Sequence, residues 1–118
     1  MTMMKATFPL LTFLTFAFAA YAGEVKELDL SSLGTPISAG TLNYPNEMKG
    51  LGIEGKATVE CSVTILGYTK NCRVISSTND AFGNSALDYL THAHFRPVLD
   101  GGTPVEVRYK WTLAFSMQ

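Results

Sequence analysis

The chain has 118 residues, of which 47% are hydrophobic, and its nine basic and ten acidic side chains leave a net charge of −1. This length accommodates one domain. Because the charge is near neutral and no basic cluster is present, the chain lacks the positively charged surface that is typical of a nucleic-acid-binding protein. We therefore expect a protein partner and no nucleic acid.

Residues 1–22 have the pattern of a secretory signal peptide. Lys5 is the single charge, an apolar run extends from Phe8 to Ala20, and Ala20-Tyr21-Ala22 matches the small-x-small cleavage site. The alternative is an uncleaved membrane anchor, for which this segment is at the short end of the roughly 17–25 residues that cross a bilayer. We expect cleavage before Gly23, and contact with a membrane only if cleavage fails.

A β-hairpin is predicted over residues 57–76. Apolar and polar residues alternate strictly from Ala57 to Ile65, which is the period of a strand with one face in water. Gly67 supplies a turn, and Tyr68 to Ile75 returns as the second strand. Residues 23–41 precede this region without a sustained period, so we interpret them as an N-terminal arm.

The second strand is predicted to contain a bulge, with one extra residue near Lys70-Asn71. Its core-facing residues are Thr69, Cys72 and Val74. If the turn places Val63 opposite Thr69, the bulge brings Cys61 opposite Cys72, where Cβ atoms lie about 4.5–5.5 Å apart. That separation permits a disulfide after small adjustment, and export favours one. Two buried free thiols are the alternative.

A helix is predicted after the hairpin. Asn79 or Asp80 can cap it, and Pro97, by constraining Arg96, is expected to end it. Apolar residues recur at helical spacing at Phe82, Ala86, Leu90 and Ala93. We expect this apolar stripe to cover one face of the hairpin.

The last predicted element is a long amphipathic strand that follows a turn at Asp100-Gly101-Gly102. Its apolar residues are Val105, Val107, Tyr109, Trp111, Leu113 and Phe115, and its polar residues are Glu106, Arg108, Lys110 and Thr112. The element order β-β-α-β predicts an α+β fold, with a three-stranded antiparallel sheet in the order 2-1-3 packed against the helix. The final strand then lies at an edge, with Trp111 expected in the core.

The sequence contains no recognisable catalytic motif. His92 and His94 are two residues apart, which on a helix places them on different faces, so a shared metal is not expected. No serine has a histidine and a carboxylate at motif spacing. We therefore expect neither an enzyme nor a cofactor.

A series of short motifs resembles the C-terminal domain of the TonB family. The motifs are Tyr44-Pro45, Gly52-Ile53-Glu54-Gly55, Gly67, Val74-Ile75-Ser76-Ser77, Ala86-Leu87, Phe95-Arg96-Pro97, Asp100-Gly101 and a final strand ending in Phe115. The resemblance covers residues 42–116, and we place the domain at residues 42–118. It implies a three-stranded antiparallel sheet with a helix, located in the periplasm of Gram-negative bacteria.

The resemblance also implies a function. Members of the family bind a short extended peptide of an outer-membrane receptor, which adds as a strand to the sheet. Here it implies an outer-membrane receptor or another envelope protein as partner, bound by Arg108, Lys110 and Thr112, with Asn43, Tyr44 and Pro45 beside the groove. Two alternatives remain open: self-association through the exposed edge, giving a homodimer, and an inner-membrane-anchored energy transducer if residues 1–22 are not cleaved.

Overall fold

The computed structural model describes residues 27–117, so the signal-peptide prediction for residues 1–22 lies outside the described residues. The elements are a 3-10 turn (Ser31–Leu33), α1 (Asn46–Gly50), β1 (Gly55–Val63), β2 (Thr69–Ser77), α2 (Asp80–Thr91), β3 (Val98–Asp100), β4 (Thr103–Val105) and β5 (Val107–Phe115). None of the helices formed by residues 27–117 has the length and apolar character needed to cross a membrane.

The main sheet is antiparallel, with the strand order β2-β1-β5. This confirms the predicted fold class and order, because β5 is the predicted final strand. β1 pairs with β5 over its whole length without a register shift, from Gly55 opposite Phe115 to Val63 opposite Val107. β2 and β5 are therefore the two edges of this sheet.

The pairing of β2 with β1 is interrupted by two bulges. Val63 lies opposite Thr69, as predicted, and the first bulge follows at Asn71, whose φ of 53° is in the left-handed region. The predicted disulfide is present, with the Cα atoms of Cys61 and Cys72 4.1 Å apart. The second bulge, at Ile75, was not predicted. It contributes further twist to this edge.

α2 begins as the sequence predicts but ends earlier. The Asn79 side chain caps it by accepting a hydrogen bond from the Ala81 N–H at 2.8 Å. The prediction that Arg96-Pro97 ends the helix is wrong, because the helix stops at Thr91. The chain leaves the helix to pair elsewhere: the His94 N–H donates to the Ser38 carbonyl, and the Phe95 N–H donates to the Gly67 carbonyl, both at 2.8 Å.

The final strand is shorter than predicted. Val105, which the alternation assigned to that strand, pairs instead with Val98 in the small hairpin formed by β3 and β4. β5 therefore starts at Val107. The sequence pattern misses this interruption because Val105 and Val107 are two residues apart, which is the spacing of apolar residues within one continuous strand.

The N-terminal arm forms part of the hydrophobic core. Leu33 has no exposed surface, and its carbonyl accepts a hydrogen bond from Trp111 Nε1 at 2.8 Å. The Trp111 ring stacks on Phe95 with ring centroids 5.3 Å apart. α2 packs on β1 and β2, while Leu33 of the arm contacts Trp111 of β5. Trp111 is in the core, as the alternation of its strand predicts.

Candidate functional site

The hydrogen bonds at the two ends of β1 show which way its backbone groups point. The Thr64 N–H donates to the Tyr68 carbonyl at 2.8 Å, and the Lys56 carbonyl accepts from the Thr78 N–H at 3.0 Å. Backbone groups of successive residues point to opposite sides of a strand. The even-numbered residues of β1 therefore point toward β2, and the odd-numbered residues point toward β5.

The same alternation identifies the backbone groups on the free side of β5. The odd-numbered residues of β1 lie opposite Val107, Tyr109, Trp111 and Leu113, whose N–H and C=O groups therefore point to β1. Arg108, Lys110 and Thr112 carry the N–H and C=O groups that point away from the sheet. We call the side of β5 that carries these three residues the β5 edge. Within residues 27–117, no other strand pairs with it.

The two edges of the sheet differ in regularity. β5 is a run of nine residues that pairs with β1 without a register shift, whereas the pairing of β2 is interrupted by the bulges at Asn71 and Ile75. Bulges twist an edge and interrupt its row of donors and acceptors, which blocks pairing with another strand. Of the two, the β5 edge is thus the suitable template for an added strand.

Arg108 is held across the outer face of the sheet, the face opposite α2. Its Nη1 donates to Ser62 Oγ at 2.8 Å, and its Nη2 donates to the Asn71 carbonyl at 2.9 Å. Its Nε lies 3.3 Å from Glu60 Oε1. The side chain thus reaches from β5 over β1 to the first bulge of β2. Three contacts hold the guanidinium in place.

Glu60 is shared by two arginines. Besides its contact with Arg108, it accepts hydrogen bonds from Arg73 Nε at 3.2 Å and from Arg73 Nη2 at 3.1 Å. Partial burial acts to raise the pKa of Glu60, but the hydrogen bond from Arg73 and the charges of Arg108 and Arg73 outweigh it. The pKa of Glu60 therefore lies below its ordinary value.

Thr112 and Lys110 complete the outer face of β5. Thr112 Oγ1 shares a hydrogen bond of 2.9 Å with Thr58 Oγ1 on β1. Lys110 lies directly opposite Glu60 and is exposed. Within the described part of the chain, the Lys110 ammonium has no ion-pair partner, because the Glu60 carboxylate contacts the two arginines instead.

The structure places Asn43, Tyr44 and Pro45 beside the Phe115 end of β5. The Tyr44 ring packs edge-on against Phe82 and Phe115, with centroid distances of 5.7 and 5.9 Å. Its hydroxyl donates to the Ile53 carbonyl. Desolvation, and then the charge of Glu54, raise the pKa of Tyr44. Tyr44 thus holds the segment that follows the arm against α2 and the end of β5.

The neighbours of Tyr44 attach the same segment to both helices. The Asn43 carbonyl accepts from Ser85 Oγ on α2, and the Pro45 carbonyl accepts from the Lys49 N–H at 2.9 Å in α1. The six residues predicted as a partner site therefore form two groups. Arg108, Lys110 and Thr112 share the β5 edge, whereas Asn43, Tyr44 and Pro45 make intramolecular contacts at one end of β5.

Sequence reasoning missed the residues that hold Arg108. The alternation of the first strand placed Glu60 and Ser62 on the face in water, but the choice of Arg108 as their partner depends on the register between β1 and β5. Asn71 contributes only its carbonyl, which no side-chain pattern identifies. The one sequence feature that pointed to this position was the predicted bulge at Lys70-Asn71.

His92 and His94 make separate contacts, and both lie after the last residue of α2. His92 caps the end of α2, and the His94 ring stacks on Tyr68 with centroids 4.1 Å apart, with its Nε2 3.0 Å from the Leu66 carbonyl. Among residues 27–117, no three histidine, cysteine or carboxylate side chains are grouped so that they could hold a metal ion.

Comparisons with known proteins identify the family. The family model described as Gram-negative bacterial TonB protein C-terminal matches residues 41–117. The chain is similar to the solution NMR structure of the Pseudomonas aeruginosa TonB CTD, with 21% sequence identity and a TM-score of 0.57 over 71% of this chain and 86% of that one. The comparison with curated proteins found no match. Because the family model covers well over half of the sequence, this chain belongs to the family of Gram-negative TonB C-terminal domains.

Proposed function

We propose that this protein is a periplasmic interaction domain that binds an extended segment of an outer-membrane or other envelope protein. The segment adds as a strand to the β5 edge, in TonB-dependent transport or a related envelope process. TonB C-terminal domains are non-enzymatic interaction domains of the Gram-negative envelope, which supports this class of function. In strand addition, main-chain hydrogen bonds supply affinity and alternate side chains supply specificity.

The observation that carries the proposal is the regular β5 edge, with which no other strand formed by residues 27–117 pairs. Arg108, Lys110 and Thr112 direct their backbone groups outward at a spacing of two residues, which matches the hydrogen-bonding repeat of an antiparallel partner. The other edge is bent by two bulges. The segment that contains Tyr44 packs against Phe115 and borders the edge at that end.

The test is a pair of substitutions at one position. Lys110→Pro removes a backbone donor that faces away from β1, so the sheet keeps its own hydrogen bonds. Lys110→Ala removes the same side chain but keeps the N–H, which makes it the matched control. Each variant is immobilised and exposed to solubilised outer-membrane proteins, and the recovered proteins are identified and quantified by mass spectrometry.

We expect the Lys110→Pro variant to lose its envelope partners, while the Lys110→Ala variant retains most of its binding. Circular dichroism checks that both variants remain folded. If the proline variant is folded and recovers the same proteins with unchanged affinity, strand addition at the β5 edge is wrong. Recovery of a second copy of this chain, in place of an outer-membrane protein, would support the self-association alternative.

The periplasmic location rests on the proposed cleavage of residues 1–22. Mass spectrometry of the envelope fractions is expected to find a protein that begins at Gly23. An intact Met1 in washed inner membranes would contradict the proposal and favour the anchored energy transducer.

A further inference from the structure

The charges on the outer face of the sheet are not balanced near the β5 edge. Arg73, Arg108 and Lys110 lie around one carboxylate, that of Glu60. Lys110 is the direct cross-strand neighbour of Glu60 on β5, yet the carboxylate contacts Arg73, its direct neighbour on β2, and Arg108, which lies diagonal to it on β5. The cluster therefore keeps a surplus of positive charge, and this surplus lies on the edge strand.

The side chains next to Lys110 on β5 already have partners within the protein. Arg108 makes three contacts on β1 and β2, and the Thr112 hydroxyl is bonded to Thr58. Lys110 lies between them, exposed and without an ion-pair partner among the described residues. A strand added to the β5 edge would lie about 4.8 Å away, well within reach of a lysine side chain.

We propose that the segment bound at the β5 edge carries an aspartate or glutamate directly opposite Lys110. This inference rests on the proposed strand addition and specifies the chemistry of the partner. Opposite charges at facing positions of two antiparallel strands attract, and like charges repel. The carboxylate of the bound segment would form with the Lys110 ammonium the ion pair that Glu60 does not form with it.

The test uses three synthetic peptides with blocked ends. Each has nine residues that alternate threonine and valine, so that one face of the added strand is polar and the other apolar. The central threonine is replaced by glutamate in the first peptide, by glutamine in the second and by lysine in the third. Binding to the isotope-labelled full chain is followed by the NMR shifts of the Arg108, Lys110 and Thr112 amides.

We expect the glutamate peptide to bind roughly two- to fivefold more tightly than the glutamine peptide, and the lysine peptide to bind most weakly. The preference should vanish near 1 M salt, where the screening length is about 3 Å. Lys110→Gln, which keeps the backbone N–H, should abolish the preference. Lys56→Gln removes the same charge from β1 on the same face and should leave the preference intact.

The outcomes separate this inference from the proposed function. If the glutamate and glutamine peptides shift the β5 amides with equal affinity, the carboxylate partner is wrong and strand addition stands. If the preference survives in Lys110→Gln, its source is another cation, and the inference is also wrong. If none of the three peptides shifts these amides, strand addition itself fails, and the inference fails with it.

Discussion

Replacing Leu33 by alanine should remove a large part of the stability of the fold. Leu33 is fully buried although it precedes the residues that the family model matches, 41–117. Leucine-to-alanine changes at fully buried sites cost about 2–5 kcal/mol through lost burial and the cavity left behind. Domains of this size are stable by only about 5–15 kcal/mol in total. The substitution leaves the Leu33 carbonyl in place, so its hydrogen bond from Trp111 is retained.

The measurement is urea unfolding followed by both Trp111 fluorescence and far-ultraviolet circular dichroism. Trp111 is the single tryptophan and contacts the Leu33 segment, so its emission reports on that packing. Leu28→Ala in the same arm is the control, because Leu28 is 37% exposed and should cost about 1 kcal/mol or less. If Leu33→Ala loses no more stability than Leu28→Ala, the arm does not belong to the cooperative core.

Three further predictions follow from local features. The disulfide closes a short loop, with a sequence separation of 11, so replacing Cys61 and Cys72 by alanine should lower the free energy of unfolding in urea by about 2–3 kcal/mol. Two reactive thiols in the unreduced, denatured protein would contradict the bond. Gly67→Ala should lower the melting temperature more than Gly101→Ala. Both glycines have positive φ, but a Cβ added at position 67 would lie 1.9 Å from the Phe95 carbonyl oxygen. Equal decreases in melting temperature would refute this reasoning. Because the pKa of Glu60 is lowered in the folded state, its stabilising contribution is present above the unfolded-state pKa and is lost as the pH falls through the folded-state pKa. Glu60→Gln should therefore weaken the acid-side loss of stability, and an unchanged acid-side slope would show that the two arginines do not act on this carboxylate.

The sequence by itself determined the elements that depend on local chemistry. The alternation of apolar and polar residues predicted β1, because one face of that strand is buried and the other is in water. The pair Asn79-Asp80 predicted the start of α2, because either side chain can satisfy a backbone donor of the first turn, and in the structure Asn79 does so. A step of three between inward residues predicted the bulge, and the bulge set the register that joins Cys61 to Cys72. Each of these features needs only neighbouring residues or one hairpin.

The tertiary structure decided the features that depend on distant residues. α2 ends at Thr91 because His94 and Phe95 take backbone partners on the arm and on the hairpin turn, which no helix signal near Pro97 reveals. Val105 leaves the final strand because Val98 pairs with it. The contact between Leu33 and Trp111 spans 78 positions of the chain, so the place of the arm in the core could not be read from its irregular sequence.

In the candidate site, too, some features follow from the local sequence and others only from the tertiary structure. Alternation alone placed Arg108, Lys110 and Thr112 on one face of an edge strand, because side-chain direction follows from the period of the strand. The direction of their backbone groups and the division of Glu60 between two arginines depend on the register of β5 with β1 and of β1 with β2. Register is set by pairing across the whole sheet. For that reason only the folded chain distinguishes Lys110, which has no ion-pair partner among residues 27–117, from Arg108, which has three contacts.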